Sequence, residues 1–326
     1  MRICIFGAGA VGSHFAVRLA LAGHDVSCVM RGPHLEAVEA QDLTLRVGDA
    51  EFKARMRVSD DPAALGPQDL VISTLKANAL GSLVTGLPPL FRDDTGVVFA
   101  QNGIPWWYDI GLAGEHPPTP DLGFLDPGGR LRAMVGKQRI IGGVIFSSNE
   151  VVAPGVVANL SPDRNMLLVG ECDDRASARI ERLRALLGEA AIQSPPSLRI
   201  REAIWSKLLT NMSMSMSVLC LLTGQTARAV RDDPALRGVV PRLLEEANSI
   251  GQSFIPEVKR VTRSGPAPNH KPSLLQDYEL GRAMEIDVLV RAPQAFARAA
   301  SLSTPMLDLL AALAIRQARD KGLYQA

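Results

Sequence analysis

Short apolar runs and helical periodicity occupy different parts of this chain. In the first half, apolar runs end after a few positions at glycine, asparagine or other polar residues, as buried strands of a parallel sheet do. They predict strands at residues 3–6, 26–30, 69–77 and 96–104, and further alternating strands around a Pro-Gly turn within 139–160. Beyond residue 200 the apolar positions recur at helical spacing, which predicts helices at 201–222, 232–252, 272–299 and 305–322.

A glycine motif follows the first predicted strand. Gly7, Gly9 and Gly12 form G-x-G-x-x-G ahead of an amphipathic helix predicted at 11–22, and the next predicted strand completes a strand–helix–strand unit. In such a unit the first glycine permits a tight turn, the second lets the backbone approach a pyrophosphate, and the third allows close helix–strand packing. A glycine turn that binds nothing is the alternative. The predicted cofactor-binding residues of this loop are Gly7, Ala8, Gly9, Ala10, Val11 and Gly12.

The end of the second predicted strand indicates which nucleotide binds. NAD and FAD sites usually carry an Asp or Glu there for the ribose hydroxyls. This chain has Arg31 at that place, and its next carboxylate is Glu36. A guanidinium suits a 2′-phosphate, so the sequence predicts NADP (NADPH) as the cofactor, and the missing acid also argues against an S-adenosylmethionine site. The alternative is a solvated loop arginine.

Two more polar residues follow apolar strands. Lys76 ends the predicted strand at 69–77, and Asn102 precedes a glycine at the end of the strand at 96–104. Ligands bind at the carboxyl ends of parallel strands, where the glycine loop also lies, so both residues are predicted to contact the cofactor. Taken singly, each also fits a surface lysine and an ordinary Asn-Gly turn.

Two irregular segments complete the domain organisation. Residues 104–138 are rich in Pro and Gly and predict a long loop with room for a β-hairpin; Trp106, Trp107 and Tyr108 near its start either wall a substrate pocket or pack onto the domain. Residues 193–203 contain two prolines and predict a hinge. We therefore predict an α/β protein, with a Rossmann-type doubly wound NADP-binding domain at 1–195 and an all-α substrate-binding and catalytic domain at 196–326.

A polar stripe marks the first helix of the second domain. Lys207, Asn211 and Ser215 are spaced i, i+4, i+8 within an otherwise apolar, Met-rich run, so they share one helical face. A buried ammonium is costly unless it is paired or used, and a cleft-lining helix has this pattern. A lysine that reaches solvent at a helix edge is the alternative.

Composition narrows the class of protein. A length of 326 residues exceeds the usual single domain, and a net charge of +1 gives no support for a nucleic-acid partner or an anionic membrane surface. The apolar run at 208–222 is shorter than the ~20 residues of a membrane span. Four cysteines lie far apart without C-x-x-C, so neither a metal site nor a disulfide framework is predicted, and reduced thiols in a cytoplasmic protein are expected.

The ordered motifs resemble those of the ketopantoate reductases (2-dehydropantoate 2-reductases) over nearly the whole chain. They are GAGAVG, Arg31, TLKA with Lys76, QNG with Asn102, IWSKLLTN with Lys207 and Asn211, and KPSLLQDYELGRAMEIDVLV with Ser273 and Glu285. The resemblance implies an NADP-dependent oxidoreductase that reduces ketopantoate to pantoate, on the way to pantothenate and coenzyme A.

The resemblance also implies residue roles. Lys207 is expected to be the general acid with Glu285 as its catalytic partner, and the predicted substrate-binding residues are Asn211, Ser273, Asn102 and Ser215. The chain departs from the family where a second asparagine followed by proline is common, because Ser215 and Met216 stand there and the run before Leu-Thr-Gly is lengthened. A reductase of the same family for a different 2-oxo acid is therefore the alternative, and a non-catalytic NADP sensor is a third hypothesis. The predicted helices of the second domain also offer surfaces for a homodimer.

Overall fold

The fold was analysed in a computed structural model that describes residues 1–196, 199–213, 217–261, 269 and 271–325. Two compact units divide the chain. The first unit comprises Met1–Gln101, Ile110–Leu112 and Gly128–Ile200, and the second comprises Asn102–Asp109, Ala113–Pro127 and Arg201–Ala326. Most of the Pro- and Gly-rich loop thus belongs to the second unit. The sequence-based domain boundary between residues 195 and 196 stays a prediction.

The first unit contains all the strands among the described residues. They are β1 (Arg2–Phe6), β2 (Asp25–Val29), β3 (Leu43–Val47), β4 (Ala50–Ala54), β5 (Arg57–Ser59), β6 (Leu70–Ser73), β7 (Gly96–Ala100), β8 (Ile140–Phe146), β9 (Asn149–Ala153), β10 (Val156–Asn159) and β11 (Met166–Glu171). Its helices are α1 (Ala10–Leu21), α2 (Pro33–Ala40), α3 (Leu83–Gly86), α4 (Arg130–Val135) and α5 (Ala178–Glu189).

The main sheet is doubly wound, as the glycine motif and apolar runs predict. Its strand order is β11-β8-β7-β6-β1-β2-β5, and every neighbouring pair is parallel except β11 with β8. The chain leaves β1 towards β2 and later returns to its other side at β6, which makes the carboxyl end of β1 the switch point where nucleotides bind in such sheets. Ile3, Ile5, Ile72 and Val98 are fully buried in its core.

A second, four-stranded sheet has the order β4-β3-β10-β9. β9 and β10 form the expected pair around Pro154-Gly155, whereas β3 and β4 have no counterpart in the sequence-based prediction. α1 contacts strands of both sheets and is therefore buried on most of its surface. Residues 12–17 are all buried, so α1 is covered nearly all round and is not the amphipathic helix predicted from the sequence.

Two predicted strands end earlier than their apolar runs do. β6 ends at Ser73 and β7 at Ala100, so Lys76 and Asn102 lie in the segments that follow them. The segment at 104–138 forms no strand and contains instead α4 and short 3₁₀ helices. Part of the predicted hinge is also ordered. The Leu167 N–H of β11 donates to the Gln193 carbonyl at 2.9 Å, and the next helix already begins at Ile200.

The regular elements among the described residues of the second unit are all helices. Its helices are α6 (Ile200–Ser213), α7 (Ser217–Thr223), α8 (Ala227–Asp232), α9 (Val239–Phe254), α10 (Ser273–Glu279), α11 (Ala292–Ala299) and α12 (Pro305–Asp320), with a π-helix at Asp287–Arg291. The helix predicted at 272–299 is broken after α10, where Gly281 has φ +64° and ends the helix in the left-handed region. No helix of the described part of the chain has the length and hydropathy needed to cross a membrane.

We expect His14 on α1 to make the chain less stable in mild acid. His14 is fully buried, and burial, together with the smaller effect of the Arg18 charge, lowers its pKa to about 4. The unfolded chain takes up a proton near pH 6.5 that the folded chain does not. The free energy of unfolding therefore falls as the pH drops from about 6.5 towards 4, by about 2 kcal/mol at pH 5.

Urea unfolding at pH 7.5 and pH 5 measures this effect. In the His14→Gln variant the loss between the two pH values should be smaller by about 2 kcal/mol, because the titrating group is gone. His116→Gln, at a partly exposed position, is the control and should keep the parent's loss. An undiminished loss in His14→Gln would show that other groups carry the pH dependence.

Candidate functional site

The glycine loop of the first unit is held at the carboxyl end of β1. Gly7 has φ +93°, a conformation that side chains disfavour, and its N–H and that of Ala8 both donate to the Val29 carbonyl, at 3.0 and 3.1 Å. Thr74, just past β6, donates its hydroxyl to the Gly7 carbonyl at 2.8 Å. The loop is thus fastened to the ends of both neighbouring strands, which keeps it in place for a ligand.

Gly9 and Gly12 serve different purposes in this loop. A Cβ on Gly12 would lie 2.5 Å from Thr74 Oγ1 and 2.8 Å from the Gly7 carbonyl oxygen, so only glycine lets α1 lie this close to the strand. A Cβ on exposed Gly9 would have no atom nearer than 4.0 Å. Gly9 is the N-cap of α1, and the first N–H groups of a helix attract anions. The open space there is suited to a pyrophosphate.

Ser13 and His34 support the loop, and the sequence analysis did not single them out. Ser13 is fully buried and donates its hydroxyl to the Ala8 carbonyl at 2.9 Å. His34 Nδ1 accepts from the Gly155 N–H at 3.0 Å, so its proton lies on Nε2 and is donated to Ser13 Oγ at 3.1 Å. Burial lowers the pKa of His34, which favours this neutral form. No local sequence motif predicts the contact between Ser13 and His34, because it depends on how α1 and α2 pack.

Arg31 and Lys76 both follow strands of the main sheet on the edge where the glycine loop lies. Arg31 is exposed and comes two residues after the end of β2. Lys76 is exposed and is the N-cap of a 3₁₀ helix at Ala77–Ser82, three residues after the end of β6. Their contact with a cofactor stays a prediction.

In the second unit, Lys207 and Asn102 come together. Lys207 lies on α6, and its Nζ donates to Asn102 Oδ1 at 2.7 Å, although the two residues are 105 positions apart. Both side chains are half-buried. A lysine ammonium oriented by an amide oxygen can present positive charge to a developing negative charge.

The backbone that carries Asn102 packs against the π-helix. Gly103 has φ +71°, and a Cβ there would lie 2.3 Å from the Val288 carbonyl oxygen, so this position requires glycine. The Ile104 N–H donates to the same oxygen at 3.1 Å. The Asn-Gly pair is therefore more than a surface turn.

A buried aromatic cluster surrounds Trp205, which lies on the same helix as Lys207. Trp205 Nε1 donates to the Tyr108 hydroxyl at 2.7 Å, and both rings pack on Phe296. Fully buried Arg201 donates from Nε and Nη2 to the Tyr108 carbonyl, at 2.8 and 2.6 Å. Trp106, Trp107 and Tyr108 are each at most 1% exposed, which supports packing as their role.

The remaining predicted residues of the second unit lie as follows. Asn211 is half-buried on α6, one turn beyond Lys207, Ser273 is exposed at the first position of α10, and Glu285 is buried just before the π-helix. Ser215 lies outside the described residues. The roles proposed for these residues on the basis of the resemblance stay predictions.

Comparisons with known proteins agree along the whole chain. Residues 3–116 match the family model "Ketopantoate reductase PanE/ApbA", and residues 199–317 match its C-terminal counterpart. A 2-dehydropantoate 2-reductase of Mesorhizobium japonicum is 39% identical over 99% of this chain and 100% of its own length.

Solved structures share the architecture. The crystal structure of a protein from Ralstonia solanacearum MolK2 superposes with a TM-score of 0.86 at 35% identity, covering 99% of both chains. A D-mandelate dehydrogenase solved with NADH and anilino(oxo)acetate has a TM-score of 0.79 over 99% of this chain and 100% of its own, and at 20% identity it shows the common fold alone. The chain therefore belongs to the ketopantoate reductase family of nicotinamide-dependent oxidoreductases.

Proposed function

We propose that this protein reduces 2-dehydropantoate (ketopantoate) to pantoate with NADPH, using Lys207 as the general acid. The hydrogen bond from Lys207 to Asn102 carries the proposal, because it joins two motifs that the resemblance assigns to one site. The full-length identity to a 2-dehydropantoate 2-reductase supports the choice of substrate. Pantoate is a precursor of pantothenate and coenzyme A.

The chemistry assigned to Lys207 follows from charge. When a hydride reaches the carbonyl carbon of a 2-oxo acid, negative charge develops on the carbonyl oxygen. A positioned ammonium stabilises that charge and then donates a proton to the oxygen. Asn102 accepts one N–H of Lys207 and so fixes the direction in which the ammonium points.

Further residues complete the proposed site. Glu285, a buried carboxylate, would favour the charged form of Lys207. Asn211, Ser273 and Ser215 would offer hydrogen bonds to the carboxylate or hydroxyl of the substrate. NADPH, when bound, supplies the hydride; the glycine loop residues, Arg31, Lys76 and Asn102 would hold it.

Oxidation of NADPH measured against a panel of 2-oxo acids tests the function. The panel includes ketopantoate, 2-oxoisovalerate, pyruvate and phenylglyoxylate. We expect the highest kcat/KM with ketopantoate. A higher value with another member would favour the alternative of a reductase for a different 2-oxo acid, and no oxidation with any member would contradict the proposal.

The preference for NADPH is assigned to Arg31. Replacing it by Ala should raise the Michaelis constant for NADPH by about tenfold or more while leaving that for NADH nearly unchanged, because a charge-assisted hydrogen bond to the 2′-phosphate is lost. Arg55→Ala, at another exposed arginine of the first unit, is the control and should change neither. Equal increases for both cofactors would contradict the role of Arg31.

A cytoplasmic location and a homodimer also belong to this proposal. Cys4, Cys28, Cys172 and Cys220 are all buried and none of the four is in a disulfide, which fits a reducing compartment. Leu309 and Leu313, one turn apart on α12, are 58% and 49% exposed and offer apolar surface for a second copy.

A further inference from the structure

Tyr324, near the end of the described chain, is the buried member of a hydrogen-bonded cluster. Tyr324 is 7% exposed, and its hydroxyl donates to Asp287 Oδ1 at 2.5 Å and accepts from Arg291 Nη1 at 2.9 Å. Arg291 Nη1 also donates to Asp287 Oδ1 at 2.8 Å. We call these three residues the C-terminal clamp. Burial and the neighbouring Asp287 carboxylate raise the pKa of Tyr324 to about 12, so its hydroxyl remains a proton donor at neutral pH.

The clamp closes on the π-helix. Asp287 and Arg291 are the first and last residues of that helix, so Tyr324 joins both of its ends. The segment around Tyr324 is also tied by its backbone, because the Met284 N–H donates to the Leu323 carbonyl at 3.0 Å. Met284 directly precedes Glu285. Leu323 and Tyr324 thus brace the π-helix and the segment that leads into it.

The π-helix in turn holds the segment that carries Asn102. The Val288 carbonyl, in the middle of this helix, accepts from the Ile104 N–H at 3.1 Å and lies where a Cβ of Gly103 would be. A π-helix is rare and is frequently found at functional sites. Here one of its carbonyls holds the residues that follow Asn102.

We propose that Tyr324 is a positioning residue for the reduction, because it holds the π-helix that aligns Asn102 beside Lys207 and orients the segment of Glu285. The proposal rests on the function proposed for Lys207. Tyr324 touches neither Lys207 nor Asn102 in the contacts described above, and it acts through Val288 and Ile104.

Tyr324→Phe tests the proposal with little risk to folding, because the ring stays and one hydroxyl is removed. With a loosened π-helix, Asn102 should hold Lys207 less firmly. We expect Lys207 to be acetylated by acetic anhydride about fivefold faster than in the parent, the scale of one lost hydrogen bond, as measured by mass spectrometry. This readout needs no substrate, so it stands whether or not ketopantoate is reduced.

Turnover supplies the second readout. In Tyr324→Phe we expect kcat on the best 2-oxo acid to fall about tenfold, because small displacements of catalytic groups are costly. The Michaelis constant for NADPH should change less than kcat, because Asn102 alone among the predicted cofactor residues lies in the same unit as Tyr324. The control is Tyr278→Phe, which removes a tyrosine hydroxyl that has no part in the clamp and should leave acetylation and kcat unchanged.

The outcomes separate the two proposals. A parent enzyme that reduces no 2-oxo acid contradicts the proposed function, while faster acetylation of Lys207 in Tyr324→Phe would still support the clamp as a positioning device. Parent-like acetylation of Lys207 overturns the clamp proposal, even if the melting temperature or the overall activity of the variant is lower.

Discussion

Replacing Lys207 by Ala should lower kcat for the best 2-oxo acid by about 100-fold or more, the scale of a positioned general acid. The ammonium that Asn102 orients would be gone, and with it the group assigned to protonate the developing alkoxide. The dissociation constant for NADPH, measured by quenching of protein fluorescence, should change little because Lys207 lies on α6 and outside the predicted nucleotide loop. Lys259→Ala, at an exposed lysine of the same unit, is the control and should behave like the parent.

Variants of Glu285 test the same mechanism. Glu285→Ala should also lower kcat, and the double variant should lose far less than the product of the two single losses, since both residues act on one group. A kcat for Lys207→Ala within about threefold of the parent would exclude the assigned mechanism, because a general acid contributes much more than that.

The second large effect is expected at Gly9. Gly9→Val should weaken NADPH binding by about 100-fold or more, because the side chain would fill the space through which the pyrophosphate approaches the helix N-terminus. In the free protein a Cβ there has no neighbour nearer than 4.0 Å, so the variant should fold and melt like the parent. The measurement is a fluorescence titration with NADPH beside a thermal melt.

Substitutions at two other glycines are the controls for Gly9→Val. Gly188→Val, on the exposed part of α5, has open space around the new side chain and should bind NADPH as the parent does. Gly12→Val should lower the melting temperature, since its Cβ would collide with Thr74 and the Gly7 carbonyl. Normal NADPH affinity in a folded Gly9→Val protein would refute the assignment of the loop.

The features that were predictable are those whose cause is local. Gly7 turns the chain at φ +93°, and Gly12 lets a helix lie next to a strand; both belong to one motif of six residues that can be recognised in the sequence. Apolar runs that are buried on both faces, as in β1 and β6, and the helical spacing beyond residue 200 do the same. The doubly wound sheet and the helical second unit therefore followed from pattern, and the family followed from the order of the motifs.

Strands with weak patterns were not predictable in this way. β4 reads AEFKA and is mostly exposed, and β5 is three residues long. Such strands bury too little apolar surface to produce an alternation, and they form because β3 and β2 offer backbone hydrogen bonds. The break of the predicted helix at 272–299 was also missed, because apolar residues recur at helical spacing on both sides of Gly281.

Patterns and motifs in the sequence were enough to identify the glycine loop, the two kinds of unit, and the candidates Lys207, Asn102 and Glu285. The folded chain shows which distant groups meet: Lys207 with Asn102 across 105 positions, Val288 with Ile104, and Tyr324 with Asp287 and Arg291. The spacing of residues along a helix or strand predicts only which near neighbours share a face of that element. Contacts between distant residues form when burial of apolar surface brings together the ends of a long intervening segment. A local sequence pattern therefore does not predict them.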